Sequence, residues 1–213
     1  MFLPSLQEQK SPIVSWPCIS LAGLFLFITR PIAVSAQVQT GYIDDEYGDP
    51  RTSLVPLYSG PGSGTFDWLQ AANFSSQFVA AYGDGFDVQR AFNQTWHWTE
   101  FFRLDNLRTV TFSFTGTSLN VYCILPNPVT SPSNVTNEFN RDAPVISNYN
   151  LTFTLDKFPV NQSFMHTSDG SGQFQYNFSV LSLSGLPQTQ HTFVMSALTG
   201  TNSTILFDYA TYE

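Results

Sequence analysis

Apolar and polar residues alternate with a period of two along much of this chain. In RTVTFSFTG, Val110, Phe112 and Phe114 fall on one face, and Thr109, Thr111 and Ser113 on the other. NLTFTLD repeats the pattern with Leu151, Phe153 and Leu155, and HTFVMSAL and TILFDYATY follow it. Turn-forming residues separate these runs: Gly116, Asn127-Pro128, Asp156-Lys157, Asp169-Gly170, residues 185–190 and residues 200–202. The spacing predicts about eight to ten short strands between residues 40 and 212. No helical period of useful length is present; FDWLQAAN allows a single helical turn. The pattern predicts an all-β protein, a β-sandwich or jelly roll, with Phe112, Phe114, Phe153 and Leu155 in its core.

Composition agrees with one folded domain. The chain has 213 residues, of which 15% are aromatic and 11% charged, with 20 Phe. Aromatic residues, Val and Thr suit a pleated, half-buried surface. The formal net charge is −8. The first 36 residues hold Glu8, Lys10 and Arg30, so the rest carries 6 basic (8 − 2) and 15 acidic (16 − 1) residues. A domain of that balance repels a phosphate backbone, and its basic residues are isolated, which excludes nucleic acid as a partner.

Residues 13–28, IVSWPCISLAGLFLFI, form an apolar run too short to span a bilayer and interrupted by Pro17. Val34 and Ala36 fit the small-residue positions of a signal-peptidase site. Residues 1–36 therefore read as a signal peptide and residues 37–213 as a single exported domain, extracellular or secreted, without a transmembrane helix. The alternative is an uncleaved signal anchor at the cell surface. N-glycosylation sequons at Asn73, Asn93, Asn134, Asn150, Asn161, Asn177 and Asn202 agree with export. Cys18 leaves with the signal peptide, and Cys123, set between apolar neighbours, reads as a buried thiol.

Three stretches could carry chemistry. NQTWHWTE, residues 93–100, reads as a strand with Gln94, Trp96 and Trp98 on one face and His97 on the other. Trp98, near the wet end of the strand beside Glu100, is a candidate platform for a sugar ring. Trp68 and Tyr47 are further candidate ligand-binding aromatics. DDEYGDP concentrates Asp44, Asp45, Glu46 and Asp49, and pairing of the first and last strands would bring Asp208 to them. Asp44, Asp45 and Asp208 are thus candidate ligands of a structural calcium, though their spacing is not that of an EF-hand; no other cofactor is expected. No histidine lies near a nucleophile elbow, and GPGSG and SDGSG lack the lysine and the strand-to-helix setting of a phosphate loop. His191, after LPQTQ, reads as a hydrogen-bond partner of the neighbouring loop. These features predict no catalytic residues.

Taken in order, GYIDDEYGDP, DVQRAFNQTWHWTEFF, VTFSFTGTSLNVYCIL, NLTFTLD, LSLSGLPQTQHTFVMSAL and TILFDYATYE resemble the ectodomains of a large family of fungal, mainly basidiomycete, cell-surface proteins of mostly unassigned function. The resemblance spans residues 41–213. It implies a galactose-binding-like jelly roll and, because it retains Trp96 and His97, a core Trp96 and a hydrogen-bonded structural His97. This chain departs from the family pattern at Trp98, where an acidic residue is usual, and at Lys157, where glycine is usual. It also lacks a cysteine pair before the TWH strand and a membrane helix after FDY. The expected function is recognition of carbohydrate or a cell-wall glycan by a secreted, non-catalytic domain. A structural or sensor ectodomain with a protein partner and an extracellular hydrolase are the alternatives.

Overall fold

The computed structural model describes residues 39–60, 68–70, 85–101, 107–128 and 147–213, all within one compact unit, Val38–Glu213. Residues 1–36 and the sequons at Asn73 and Asn134 lie outside the described residues. Nine strands are present among those described: β1 (Gly41–Asp44), β2 (Leu57–Ser59), β3 (Leu69–Gln70), β4 (His97–Phe101), β5 (Thr109–Asn127), β6 (Tyr149–Leu155), β7 (Phe158–His166), β8 (Gln173–Ala197) and β9 (Ser203–Tyr212). Every pairing is antiparallel, in the order β3-β4-β9-β5-β8-β6-β7, with β1 on β9 and β2 on β5. Among the described residues no helix is long and apolar enough to cross a membrane.

The sheet folds over on itself to make a β-sandwich, and the long β5–β8 ribbon is its spine. The first half of β5 pairs with the second half of β8 and with β2, and β8 there carries β6 and β7. The second half of β5 pairs with the first half of β8 and with β9, whose other edge carries β4 and β1. Phe112 of the first layer lies over Phe207 of the second with ring centroids 5.9 Å apart. Phe193 and Phe153 extend the same core at 5.0 and 6.0 Å. Phe112, Phe114 and Phe153 are buried as the alternation predicts, whereas Leu155 is only half-buried against the core.

The Asp156-Lys157 turn is a two-residue hairpin with φ of 52° and 71°, a left-handed pair that matches the strand twist. Two other predicted turns are not turns. Gly116 and residues 185–190 lie inside β5 and β8, where the register shifts between Gly116 and Ser118. Long strands turn a corner between layers by such irregularities. Gly116 is needed there for closeness: a Cβ would stand 2.2 Å from the Glu213 carbonyl oxygen. FDWLQAAN departs from its helical reading too, since Leu69–Gln70 is strand.

Candidate functional site

The strands β1 and β9 pair along their length, Asp44 opposite Tyr209, and the Asp45 N–H donates to the Asp208 carbonyl at 3.2 Å. This pairing of first and last strands draws Asp44, Asp45 and Asp208 together as the sequence suggests, all three buried. Their oxygens are largely taken by protein donors. Asp44 Oδ1 accepts from the Glu46 and Tyr47 N–H groups at 3.0 and 2.7 Å, and Oδ2 from Asn93 Nδ2 at 2.8 Å. Asp45 Oδ1 accepts from the Thr95 hydroxyl at 2.7 Å, and Oδ2 lies 2.8 Å from His97 Nδ1. Asp208 Oδ1 accepts from the Phe92 N–H at 2.9 Å, while its Oδ2 is buried without a hydrogen-bond partner.

That leaves one unshared carboxyl oxygen. Among the described residues no three His, Cys, Asp or Glu side chains converge as metal ligands. Calcium asks for six to eight oxygens, and the three aspartates, although neighbours, do not supply such a set. Their role here is to tie the Asn93–Thr95 segment to the β1 end. Gly48 closes the β1 loop at φ +70°, where a Cβ would meet the Leu54 carbonyl at 2.2 Å.

The segment 92–94 is a short 3-10 turn, with Asn93 and Gln94 at φ 50° and 65°, so β4 begins at His97 and not at residue 94. Aspartate side chains hold this turn from outside the strand, which local alternation does not report. Trp96 is buried against Phe86, centroids 4.2 Å apart, as its core reading requires. Trp98 is buried as well, at 7% exposure, and belongs to the core. Its expected place at a wet edge is corrected by the pairing: β4 is flanked on both sides, and Trp98 stands between Leu206 of β9 and Leu69 of β3.

A part-exposed row of side chains lies instead on the opposite face of β4. His97 pairs with Phe207, and Tyr58 of β2 pairs with Val110, so both side chains point between the layers at the sandwich rim. Their rings stack, centroids 3.9 Å apart and 9° from parallel. Trp68 adds a third ring 4.9 Å from Tyr58, its indole N–H donating to the Ser59 carbonyl at 3.2 Å. Tyr58 donates its hydroxyl to the Asp45 carbonyl at 2.7 Å, which fixes β2 to the β1 end. At the far end of the row Glu46 Oε2 lies 3.9 Å from His97 Nε2, with the two side chains 30% and 12% exposed. Tyr47, next along, is 64% exposed. Sequence reasoning named Trp68 and Tyr47 but missed Tyr58 and Glu46. A half-buried Tyr in a three-residue strand and one acid among four give no local signal.

Electrostatics set the protonation of this row. Burial, with Asp44 and Glu46 nearby, pushes the Asp45 carboxyl up to about 8 against the pull of the Thr95 hydroxyl. Burial pushes the His97 imidazole down to about 4, against the attraction of Glu46 and Asp44. Burial likewise pushes Asp208 up to about 8. Burial thus disfavours the charged form of both partners of this pair. Nε2 is the ring nitrogen that Asp45 does not hold, and it lies on the Glu46 side.

The other histidines serve structure. His191 Nδ1 lies 2.7 Å from Asp156 Oδ2 and its Nε2 lies 2.9 Å from the Pro187 carbonyl, so it does bond the neighbouring loop. His166 Nε2 lies 3.0 Å from Asn127 Oδ1. Cys123 is buried, and burial pushes its thiol well up. Of the described sequons, Asn93, Asn161, Asn177 and Asn202 are exposed and Asn150 is half-buried.

No protein-family model matches this chain, and no curated protein matches it either. Solved structures resemble it distantly. The Agl-KA catalytic domain has a TM-score of 0.42 and 10% identity, over 82% of this chain and 27% of that one. A carbohydrate-binding module, TmCBM61 in complex with β-1,4-galactotriose, has a TM-score of 0.36 and 7% identity, over 74% of this chain and 88% of that one. The catalytic unit of a GH87 α-1,3-glucanase from Streptomyces thermodiastaticus has a TM-score of 0.31 and 10% identity, over 74% of this chain and 26% of that one. The chain thus spans about a quarter of the two larger enzyme chains. The architecture rests on the strand pairing above, not on these likenesses.

Proposed function

We propose that this domain is a secreted, N-glycosylated, non-catalytic module that recognises carbohydrate at the rim row Trp68–Tyr58–His97–Glu46. The observation that carries this reading is the Nε2–Glu46 pair at the end of an aromatic row. An N–H donor and a carboxylate acceptor 3.9 Å apart are too far to bond each other. A hydroxyl, which accepts and donates at once, bridges them. Sugars present hydroxyls beside apolar C–H faces, and a ring such as Trp68 packs against those faces. The resemblance to fungal cell-surface ectodomains supplies the setting, a cell wall or cell surface.

Titration of the protein with neutral oligosaccharides, wild type against Trp68→Ala, tests this. Loss of the ring should weaken binding by about 1–3 kcal/mol, with a melting curve of the variant confirming a folded domain. Unchanged affinity in a folded Trp68→Ala protein would remove the row as the site.

One surface favours a second reading, a protein partner. Leu54, Val55 and Leu57, 54%, 52% and 68% exposed, stand together on the chain leading into β2. A protein-binding ectodomain would use them, and Leu57→Ser would then abolish capture of that partner without touching sugar binding.

A further inference from the structure

We infer that the rim row selects glycans built of hexosamine units with a free, protonated amine, an inference that rests on the carbohydrate reading above. The argument starts from the charge left open at Glu46. Among the described residues its ionic neighbour is His97 Nε2 at 3.9 Å, and no Lys or Arg pairs with it. The cations among the described residues lie elsewhere. Arg51 Nη2 donates to the Gln39 and Thr40 carbonyls and its guanidinium lies over Tyr212. Arg90 lies over the Tyr176 ring at 4.4 Å, Arg108 is buried, and Lys157 sits in the β6–β7 turn. A part-exposed carboxylate with no cation beside it among the described residues is the complement of an ammonium group, which donates to it in a charge-assisted hydrogen bond.

The wider field acts in the same sense. The chain carries a net charge of −8, which draws cationic ligands toward the site and repels uronic acids and sulfated sugars. The atom pair refines the class. A hexosamine carries its amine and a hydroxyl on adjacent ring carbons. The hydroxyl oxygen accepts from His97 Nε2–H, and the neighbouring ammonium donates to Glu46 Oε2. N-acetylation removes that charge, and its carbonyl would face the carboxylate.

Calorimetric titration of the full-chain secreted protein with hexamers of glucosamine, N-acetylglucosamine and glucose, at a pH that keeps the amine protonated, tests the inference. The glucosamine hexamer should bind about tenfold more tightly than the acetylated one. Glu46→Gln should erase that preference, bringing the glucosamine hexamer to the affinity of the acetylated one. Added salt should weaken only the amine arm. Equal or tighter binding of the acetylated hexamer overturns the inference, as does a preference that survives Glu46→Gln, which would trace it to the overall negative field. In either case binding of the glucose hexamer leaves the carbohydrate reading standing. Failure of all three hexamers to bind would overturn both.

Discussion

Trp96 and Trp98 show how far single residues could be read. Both belong to NQTWHWTE, and alternation puts them on one face; the family resemblance makes Trp96 core, and Glu100, two residues on, leaves Trp98 wet. The structure buries both. Beside Trp98 stands Leu69, paired with it from a segment that carries no strand signal of its own. A contact contributed by a distant two-residue strand is invisible to local periodicity. Replacing Trp98 with Ala should therefore cost about 3–5 kcal/mol, comparable to Trp96→Ala. Urea unfolding of the two variants checks this, and a Trp98→Ala loss under about 0.5 kcal/mol would restore the ring to the surface. The same limit applies to the aspartates. Their approach to one another followed from closing the sandwich with its first and last strands. Their hydrogen-bond partners, Asn93, Thr95 and His97, depend on a left-handed turn that no motif announces.

At the scale of elements, runs of alternation located β5, β6, β8 and β9 well, while glycines and prolines were poorer guides. Asp156-Lys157 is a true hairpin turn, but Gly116 and residues 185–190 mark the corner where the spine changes layer. That corner is clamped by His191, whose two nitrogens both face acceptors and so both donate when the ring is protonated. Burial alone would lower its proton affinity; the Asp156 carboxylate and the Pro187 carbonyl outweigh burial and raise it. Asp156 is held below its ordinary range by the His191 bond and the Thr192 N–H. The signs follow. The His191 contribution is complete below its unfolded value of 6.5 and is lost as pH rises through the raised folded value. That of Asp156 is lost as pH falls through its lowered value. Asp156→Asn should therefore destabilise the domain most in mildly acidic solution and progressively less as His191 deprotonates. Urea midpoints of wild type and variant across pH measure the difference. A gap that is constant or widens toward alkaline pH would show that the clamp is not ionic.

On the scale of the whole molecule, curling one antiparallel sheet into two layers is what creates a site at all. Tyr58 and His97 come from different layers and meet only because the β5–β8 ribbon turns its corner; Asp45 and Glu46 join them because the last strand pairs with the first. The class of fold was legible from alternation because one side of each strand must face the core. The rim was not, because its residues are defined by what the two layers bring together. The central claim is that this rim row, and not the tryptophan face of β4, is the surface that meets sugar. NMR titration of the isotope-labelled protein with the glucosamine hexamer tests it most directly. The account predicts that the Trp68 indole N–H, the His97 imidazole and the Glu46–Tyr47 amides shift together with one dissociation constant, while the Trp96 and Trp98 indoles stay still. Shifts centred on Trp98 or on β7, with the row unperturbed, would contradict it.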